Sequence, residues 1–325
     1  MSEPASNSPV PLPPPSPEEL ARRLKTNLAK ERPRSTQYAL VALAVVVGAL
    51  SALAWYLRPQ PEPGRWTVVA FDDWALAGET AARRARLEPL SADDPPSSSR
   101  GHELFFRGVN DPETAFVKVA ADAHGEASAP SKAGDGDGFA ALYLGAQRKY
   151  KAEDRARHFR LAPQTRLLAV DIDETVADLP SEGWGTRNPQ SIAPNRSAID
   201  GLASLAKQGV QVVYLSRRIA TAKDYQRVRS WTEQNRTAGL PEGPVLGMIA
   251  AEKESPAAAG QRLLVDLRKR WPGPLFLAVG SEDGATAGKA SGITTYLLGD
   301  AAPPQGVFGA KSWPELAAEL AKGQR

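Results

Sequence analysis

Two acids at the end of an apolar run are the residues most able to do chemistry in this sequence. In LLAVDIDETV, residues 167–176, Asp171 and Asp173 follow directly on Leu167–Val170, Thr175 stands two further on, and no turn residue intervenes. Such a run reads as a buried strand ending in two carboxylates. The two acids can converge on one rim if the strand breaks into a loop after Asp171. Other chemistries are thinly supplied. The chain has no cysteine, which excludes disulfides, a thiol nucleophile and cysteine-ligated zinc. Its three histidines, at 102, 124 and 158, all precede the acids, so imidazole acid–base work beside them is not expected. A formal net charge of +3 and a pI near 9.0, with no basic stripe, imply no nucleic-acid partner.

The run resembles motif I of the haloacid dehalogenase (HAD) phosphatase superfamily, hhhhDxDxT, with strand, both acids and Thr175 in register. The resemblance implies that Asp171 attacks phosphorus and that Asp173 is the general acid and base. A second apolar run, VQVVYLSRR, ends in Ser216, where motif II of that family has a Ser or Thr bonded to a phosphoryl oxygen. Arg217 and Arg218 beside it add anion affinity. YLSRR, the Arg- and Trp-containing segment up to Trp231, and LPEGPVLG from Leu240 resemble more narrowly the lipin group, which includes phosphatidate phosphatases. That likeness spans about Leu167 to Ile293 and implies a phospholipid substrate.

The sequence departs from the family at two places. Gly260 stands where the family has a Lys, with Lys253 and Arg262 as nearby substitutes for phosphate binding. After Gly280 the expected Asp is replaced by Ser281, and the acids of that segment are Glu282 and Asp283. The resemblance implies Mg2+ bridging Asp171, the Asp173 carbonyl, and Glu282 or Asp283. Gly284, Gly288 and Lys289 imitate a phosphate-binding loop, but a residue is missing between the glycines and Ala290 stands where Ser or Thr should hold Mg2+.

Elements that could position these residues alternate strand with helix. Strands are predicted at 167–171, 210–216, 245–250, 275–280 and 294–298, and helices at 196–208, 221–237, 256–270 and from Ser312, whose capping box is completed by Glu315. Right-handed crossovers bring the strand ends to one rim, where ligands of such sheets bind. The fold expected for 163–325 is α/β, a HAD-like Rossmannoid parallel sheet. No cap-sized insertion interrupts it, so its site is open.

Ahead of it, residues 66–162 carry short strand-like segments: WTVVAF from Trp66, AARRARLEPL from Ala81, HELFFRG from His102, AFVKVAADA from Ala115, GFAALYL from Gly138 and RHFRLA from Arg157. They predict an antiparallel sandwich and resemble bacterial immunoglobulin-like modules. GDGDG, residues 134–138, reads as a hairpin turn, with too few carboxylates for a calcium loop. Residues 58–65 form a proline-stiffened linker. Residues 38–57 hold 20 residues without a charge, enough to span about 30 Å of hydrocarbon, and predict a single transmembrane helix. Six basic residues, Arg22, Arg23, Lys25, Lys30, Arg32 and Arg34, precede it. They place the N-terminus in the cytoplasm and the later domains outside, at the cell inner membrane. A cleaved signal peptide is the competing reading, disfavoured by the length and depth of the run. The tail, 1–37, is Pro-rich and disordered, with a short helix after Ser16.

Together these readings predict a membrane-anchored, Mg2+-dependent phosphohydrolase acting on a phosphomonoester through an aspartyl-phosphate. The alternative is a catalytically degenerate HAD-fold binding or scaffold protein of the cell envelope. A structural envelope protein would leave both acids idle.

Overall fold

The computed structural model describes residues 16–30, 41–51, 66–90, 96–112, 115–131, 138–144, 151–177, 179, 183–185, 188–217, 219, 221–247, 249 and 254–322. The chain divides into two compact units, Met1–Gln60 and Pro61–Arg325.

In the first unit, α1 (Pro17–Lys30) opens where the Ser16 hydroxyl accepts from the Glu19 backbone N–H at 3.3 Å. A second helix, α2, covers residues 41–51, and its side chains are exposed. The rest of the predicted membrane span, 38–40 and 52–57, lies outside the described residues, as do tail residues 1–15 and linker 58–65. Among the described residues no helix is long and apolar enough to cross a membrane.

The second unit begins with two small sheets. Strands β1 (Trp66–Phe71), β3 (Ala82–Pro89) and β6 (Glu126–Pro130) form one, in the order β1-β3-β6. The other has the order β2-β8-β7-β4-β5, from β2 (Asp73–Leu76), β4 (Glu103–Gly108), β5 (Val117–Ala120), β7 (Gly138–Leu144) and β8 (Lys151–Leu161). Trp66, Val68, Leu87, Leu104, Phe106, Phe139 and Tyr143 form a shared core between them. The predicted antiparallel sandwich needs correcting, because β2 runs parallel to β8, Asp73 opposite His158. Of the predicted GDGDG turn, only Gly138 is described, as the first residue of β7.

The larger layer is a six-stranded, wholly parallel sheet in the order β11-β10-β9-β12-β13-β14. Its strands are β9 (Leu167–Asp171), β10 (Gln211–Ser216), β11 (Val245–Gly247), β12 (Leu275–Val279), β13 (Thr294–Leu298) and β14 (Phe308–Ala310). The helices are α3 (Ile172–Thr175), α4 (Arg196–Lys207), α5 (Ala222–Arg236), α6 (Pro256–Arg270), α7 (Glu282–Ala290) and α8 (Trp313–Lys322). β9 lies inside the sheet, and its side chains split by the period of two. Leu168 and Val170 enter the core that includes residues of α4, α5 and α8, whereas Leu167 and Ala169 enter the core that includes residues of α6 and α7. Between β9 and its neighbours the strand order reverses direction, the place where sheets of this kind open a crevice.

The β part is not a detached bead. Val69 and Phe71 of β1 join the α5 side of the parallel sheet, and Phe71 packs on Tyr225 with ring centroids 4.8 Å apart. Trp74 of β2 sinks into the opposite core, edge-on to Trp271 at 5.9 Å. Polar groups tie the same seam. The buried Asp72 donates its backbone N–H to Tyr225 Oη at 2.7 Å, while its carboxylate accepts from Arg157 N at 3.0 Å and Val245 N at 3.2 Å. Burial pushes that carboxyl above the usual range. Glu88 of β3 accepts from Ala222 N at 2.9 Å, so the β part holds the first turn of α5.

Candidate active site

The site forms where β9 stops. Asp171 is the last residue of that strand and the N-cap of α3, with φ −70° and ψ 101°, and its Oδ1 accepts from Asp173 N at 3.1 Å. The strand therefore breaks at once into a helical turn, with Asp171 as its cap and Asp173 in its first turn. Thr175 fixes the turn by donating Oγ1–H to the Asp171 carbonyl at 2.6 Å. Asp171 and Asp173 are 0% and 3% exposed.

β10, hydrogen-bonded beside β9, delivers Ser216 and Arg217. Ser216 Oγ donates to Asp173 Oδ1 at 2.8 Å, and Arg217 N donates to Asp173 Oδ2 at 2.8 Å. Trp184, in the segment after α3, adds its Nε1–H to Asp173 Oδ1 at 2.6 Å. Asp173 is thus gripped by three donors, two of them on or next to β10. The Arg217 guanidinium turns back over β9. Its Nε donates to Asp171 Oδ2 at 2.5 Å and its Nη2 to Glu174 Oε2 at 3.0 Å. On the other side of β9, Ser281 follows β12 and donates Oγ–H to Glu174 Oε2 at 2.7 Å.

Electrostatically this is a crowded acidic pocket with a guanidinium in it. Burial, and then the neighbouring Asp173 charge, push Asp171 up to about 7 even though Arg217 works to lower it. Burial works to lower Arg217 as well, but Asp171 and Glu174 outweigh it and raise it. At neutral pH Asp171 has therefore lost its proton only in part, while the guanidinium stays charged.

Of the residues singled out in the sequence, the fold brings together Asp171, Asp173, Thr175, Ser216 and Arg217. Arg262 points its guanidinium at Glu254, at 3.1 and 2.6 Å. Lys253 and Arg218 lie outside the described residues. Glu282 and Asp283 begin a helix. The chain enters α7 immediately after Gly280, Ser281 caps it by accepting from Gly284 N at 3.2 Å, and the two acids stand exposed in its first turn. There they complement the positive end of the helix.

Glu174 and Trp184 belong to the site without having been read from the sequence. Glu174 occupies the variable position of DxDxT, so the motif gives it no signal. Trp184 could have been suspected only as a polar-edged aromatic in a Gly-rich segment.

The donor set does not fit the Mg2+ that the resemblance implies. Mg2+ demands near-octahedral oxygen ligation, usually one or two carboxylates with waters and substrate oxygens, and here the Asp171 and Glu174 carboxylates are held by the Arg217 guanidinium. Here the third acid is replaced by Ser281, and among the described residues no three acidic or histidine side chains are grouped to hold a metal ion.

No family profile matches this sequence and no curated protein matches it. Solved structures with a partial likeness include D,D-heptose 1,7-bisphosphate phosphatase from B. bronchiseptica complexed with magnesium and phosphate. It aligns at TM-score 0.42 and 14% identity over 49% of this chain and 99% of that one. The D,D-heptose 1,7-bisphosphate phosphatase from Burkholderia thailandensis aligns at 0.36 and 12% over 48% and 99%, respectively. A HAD-superfamily hydrolase from Ehrlichia chaffeensis aligns at 0.28 and 13% over 41% and 60%. Likeness at this level assigns the chain neither a family nor an activity.

Proposed function

We propose that the α/β layer is a phosphohydrolase acting on a phosphomonoester, with Asp171 as nucleophile. The reading is carried by one observation: Asp171, Asp173 and Ser216 converge at the carboxyl ends of two neighbouring parallel strands, at the point where the strand order reverses. In this mechanism an Asp171 oxygen attacks phosphorus in line and the bond to the leaving oxygen breaks. Asp173 protonates that oxygen, then takes a proton from the water that cleaves the aspartyl-phosphate. Substrate entry exchanges the Arg217–Asp171 contact for a contact between Arg217 and phosphoryl oxygens, to which a guanidinium fork is well matched.

The narrower sequence resemblance makes a phospholipid such as phosphatidate the first substrate to try. The apolar run 38–57 makes a single-pass membrane protein the first arrangement to test, with its N-terminus cytoplasmic and the remainder outside the inner membrane. A reporter fused after Arg325 is expected to be active only in the extracytoplasmic compartment, and cytoplasmic activity would overturn that orientation. Hydrolysis of p-nitrophenyl phosphate and of phosphatidate vesicles by the purified full chain tests the reaction. Turnover should vanish in Asp171→Asn, and full activity in that variant refutes the nucleophile.

A second reading, a catalytically degenerate binding or scaffold protein, is favoured by the Arg217–Asp171–Glu174 ion pairs and the three donors on Asp173, which leave the acids satisfied as they stand. That reading predicts no turnover of either substrate, with inorganic phosphate still bound and that binding lost in Arg217→Ala.

A further inference from the structure

We infer that Arg217 is the resident cation of this site, and that its guanidinium occupies the room a divalent metal and the missing lysine would otherwise share. The inference deepens the proposed phosphohydrolase reading, but its first test is a binding measurement that does not need turnover.

Space is the first argument. Two helices pass the Arg217 side chain, and each has glycine at the point of approach. A Cβ on Gly284 of α7 would lie 2.5 Å from Arg217 Nη2, 3.1 Å from its Cζ and 3.1 Å from Val279 Cβ, so the guanidinium would have to leave its present place. A Cβ on Gly260 of α6 would lie 3.4 Å from both Cβ and Cγ of Arg217. An alanine at 260 would fit in contact, but a lysine would have to run along the stem that Arg217 already fills. The absence of lysine at 260 and the presence of arginine at 217 are thus one exchange: the cation moves from α6 to the end of β10.

Charge is the second argument. Asp171, Asp173 and Glu174 crowd into one turn, and the guanidinium bridges two of them, at 2.5 Å to Asp171 and 3.0 Å to Glu174. A divalent ion on Asp171 would face that guanidinium across a few ångströms in a partly dry pocket, where like charges repel strongly. Ser281, at the position where a further acid would complete a metal site, instead gives its proton to Glu174 and caps α7. Each departure from a metal-binding arrangement therefore has a partner in the one that holds Arg217.

Calorimetric titration of the full-length protein with MgCl2 decides the matter. The natural sequence is expected to take up no Mg2+ in the millimolar range that depends on Asp171. Arg217→Ala and Arg217→Gln should each gain a Mg2+ site, lost again when Asp171→Asn is added, because the Asp171 and Glu174 carboxylates then lack their cation. Mg2+ uptake by the natural protein that Asp171→Asn removes would overturn the inference. So would Arg217 variants that fold, by circular dichroism, and still bind no Mg2+. If neither variant folds, the natural protein alone decides: Asp171-dependent uptake overturns the assignment and its absence supports it. Where turnover is found, it should persist in EDTA; loss in EDTA with recovery on Mg2+ also overturns the inference. No turnover at all refutes the phosphohydrolase reading, whereas the titration judges the cation independently.

Discussion

Replacing Asp171 by asparagine should make the protein's stability less dependent on pH, in a direction the site dictates. The carboxyl is fully buried, and burial together with Asp173 raises it from 3.8 to about 7. An acid raised on folding holds its proton in the native state while the unfolded chain has already released it. It therefore contributes stability that is fully present below about pH 4, falls as pH rises through about 7, and is gone above. A rise of about three pH units bounds the whole effect at about 4 kcal/mol, of which about 3 kcal/mol is lost between about pH 5 and pH 8. Asparagine has no proton to lose, and Arg217 stays charged throughout, so the loss of its ion pair shifts the variant by an amount nearly independent of pH. Denaturant unfolding of both proteins across that range isolates the term as a difference. Asp171→Asn should gain on the natural protein as pH rises, by about 2–4 °C in Tm for each kcal/mol. A difference that is flat with pH, or that shrinks as pH rises, would show that Arg217 holds Asp171 ionised, and the account of a partly protonated Asp171 would be wrong.

Gly284→Ala places a methyl group against Arg217 Nη2 and should cost about 1–3 kcal/mol. Adding Arg217→Ala should recover part of that loss in a double-mutant cycle, and strict additivity would mean the glycine is not there to clear the guanidinium. Tyr225→Phe removes the hydroxyl that accepts from Asp72 N and donates to the Val245 carbonyl, both buried, and should cost about 1–3 kcal/mol in thermal unfolding. An unchanged melting temperature would mean that this seam between β1 and α5 adds little.

The parallel sheet was legible where periodicity was strong. β9, β13 and α6 have the predicted bounds, because continuous apolar runs and a Ser-Pro helix start leave few alternatives. β14 is only Phe308–Ala310 at the sheet edge and earns its strand geometry from pairing with β13, which no local pattern announces. β6, Glu126–Pro130, has alanine and serine where strand formers are expected, and its register is set by β3. α7 was hidden by its two glycines, which weaken a helix in isolation, and is held in the fold by burying Gly284, Ala285 and Gly288. The parallel pairing of β2 with β8 is equally a matter of tertiary context, since the four residues DWAL carry no local sign of a parallel partner.

In the site, the sequence named the acids, the serine and the arginine, but it could not say which groups face one another. Gly260 reads along the chain as a loss, a lysine missing from a helix. In three dimensions it is half of a pair, because Gly284, on a helix the sequence did not announce, stands against the same guanidinium. Glu282 and Asp283, the acids nearest the expected place, stand exposed in the first turn of that helix. A rule follows that can be carried back to sequence. When an arginine directly follows the second strand's serine, and glycines stand both at the lysine position and three residues past the serine that follows β12, the three departures should be read together as one relocated charge. That rule predicts how the substitutions couple. Gly260→Lys alone should destabilise or leave phosphate binding no better, because its ammonium arrives where the Arg217 stem already lies. Gly260→Lys with Arg217→Ala should recover stability and phosphate binding together, since the cation is then restored from α6. If Gly260→Lys alone improves binding and the double variant adds nothing, the two cations do not compete for the same space, and the exchange described by the glycines is wrong.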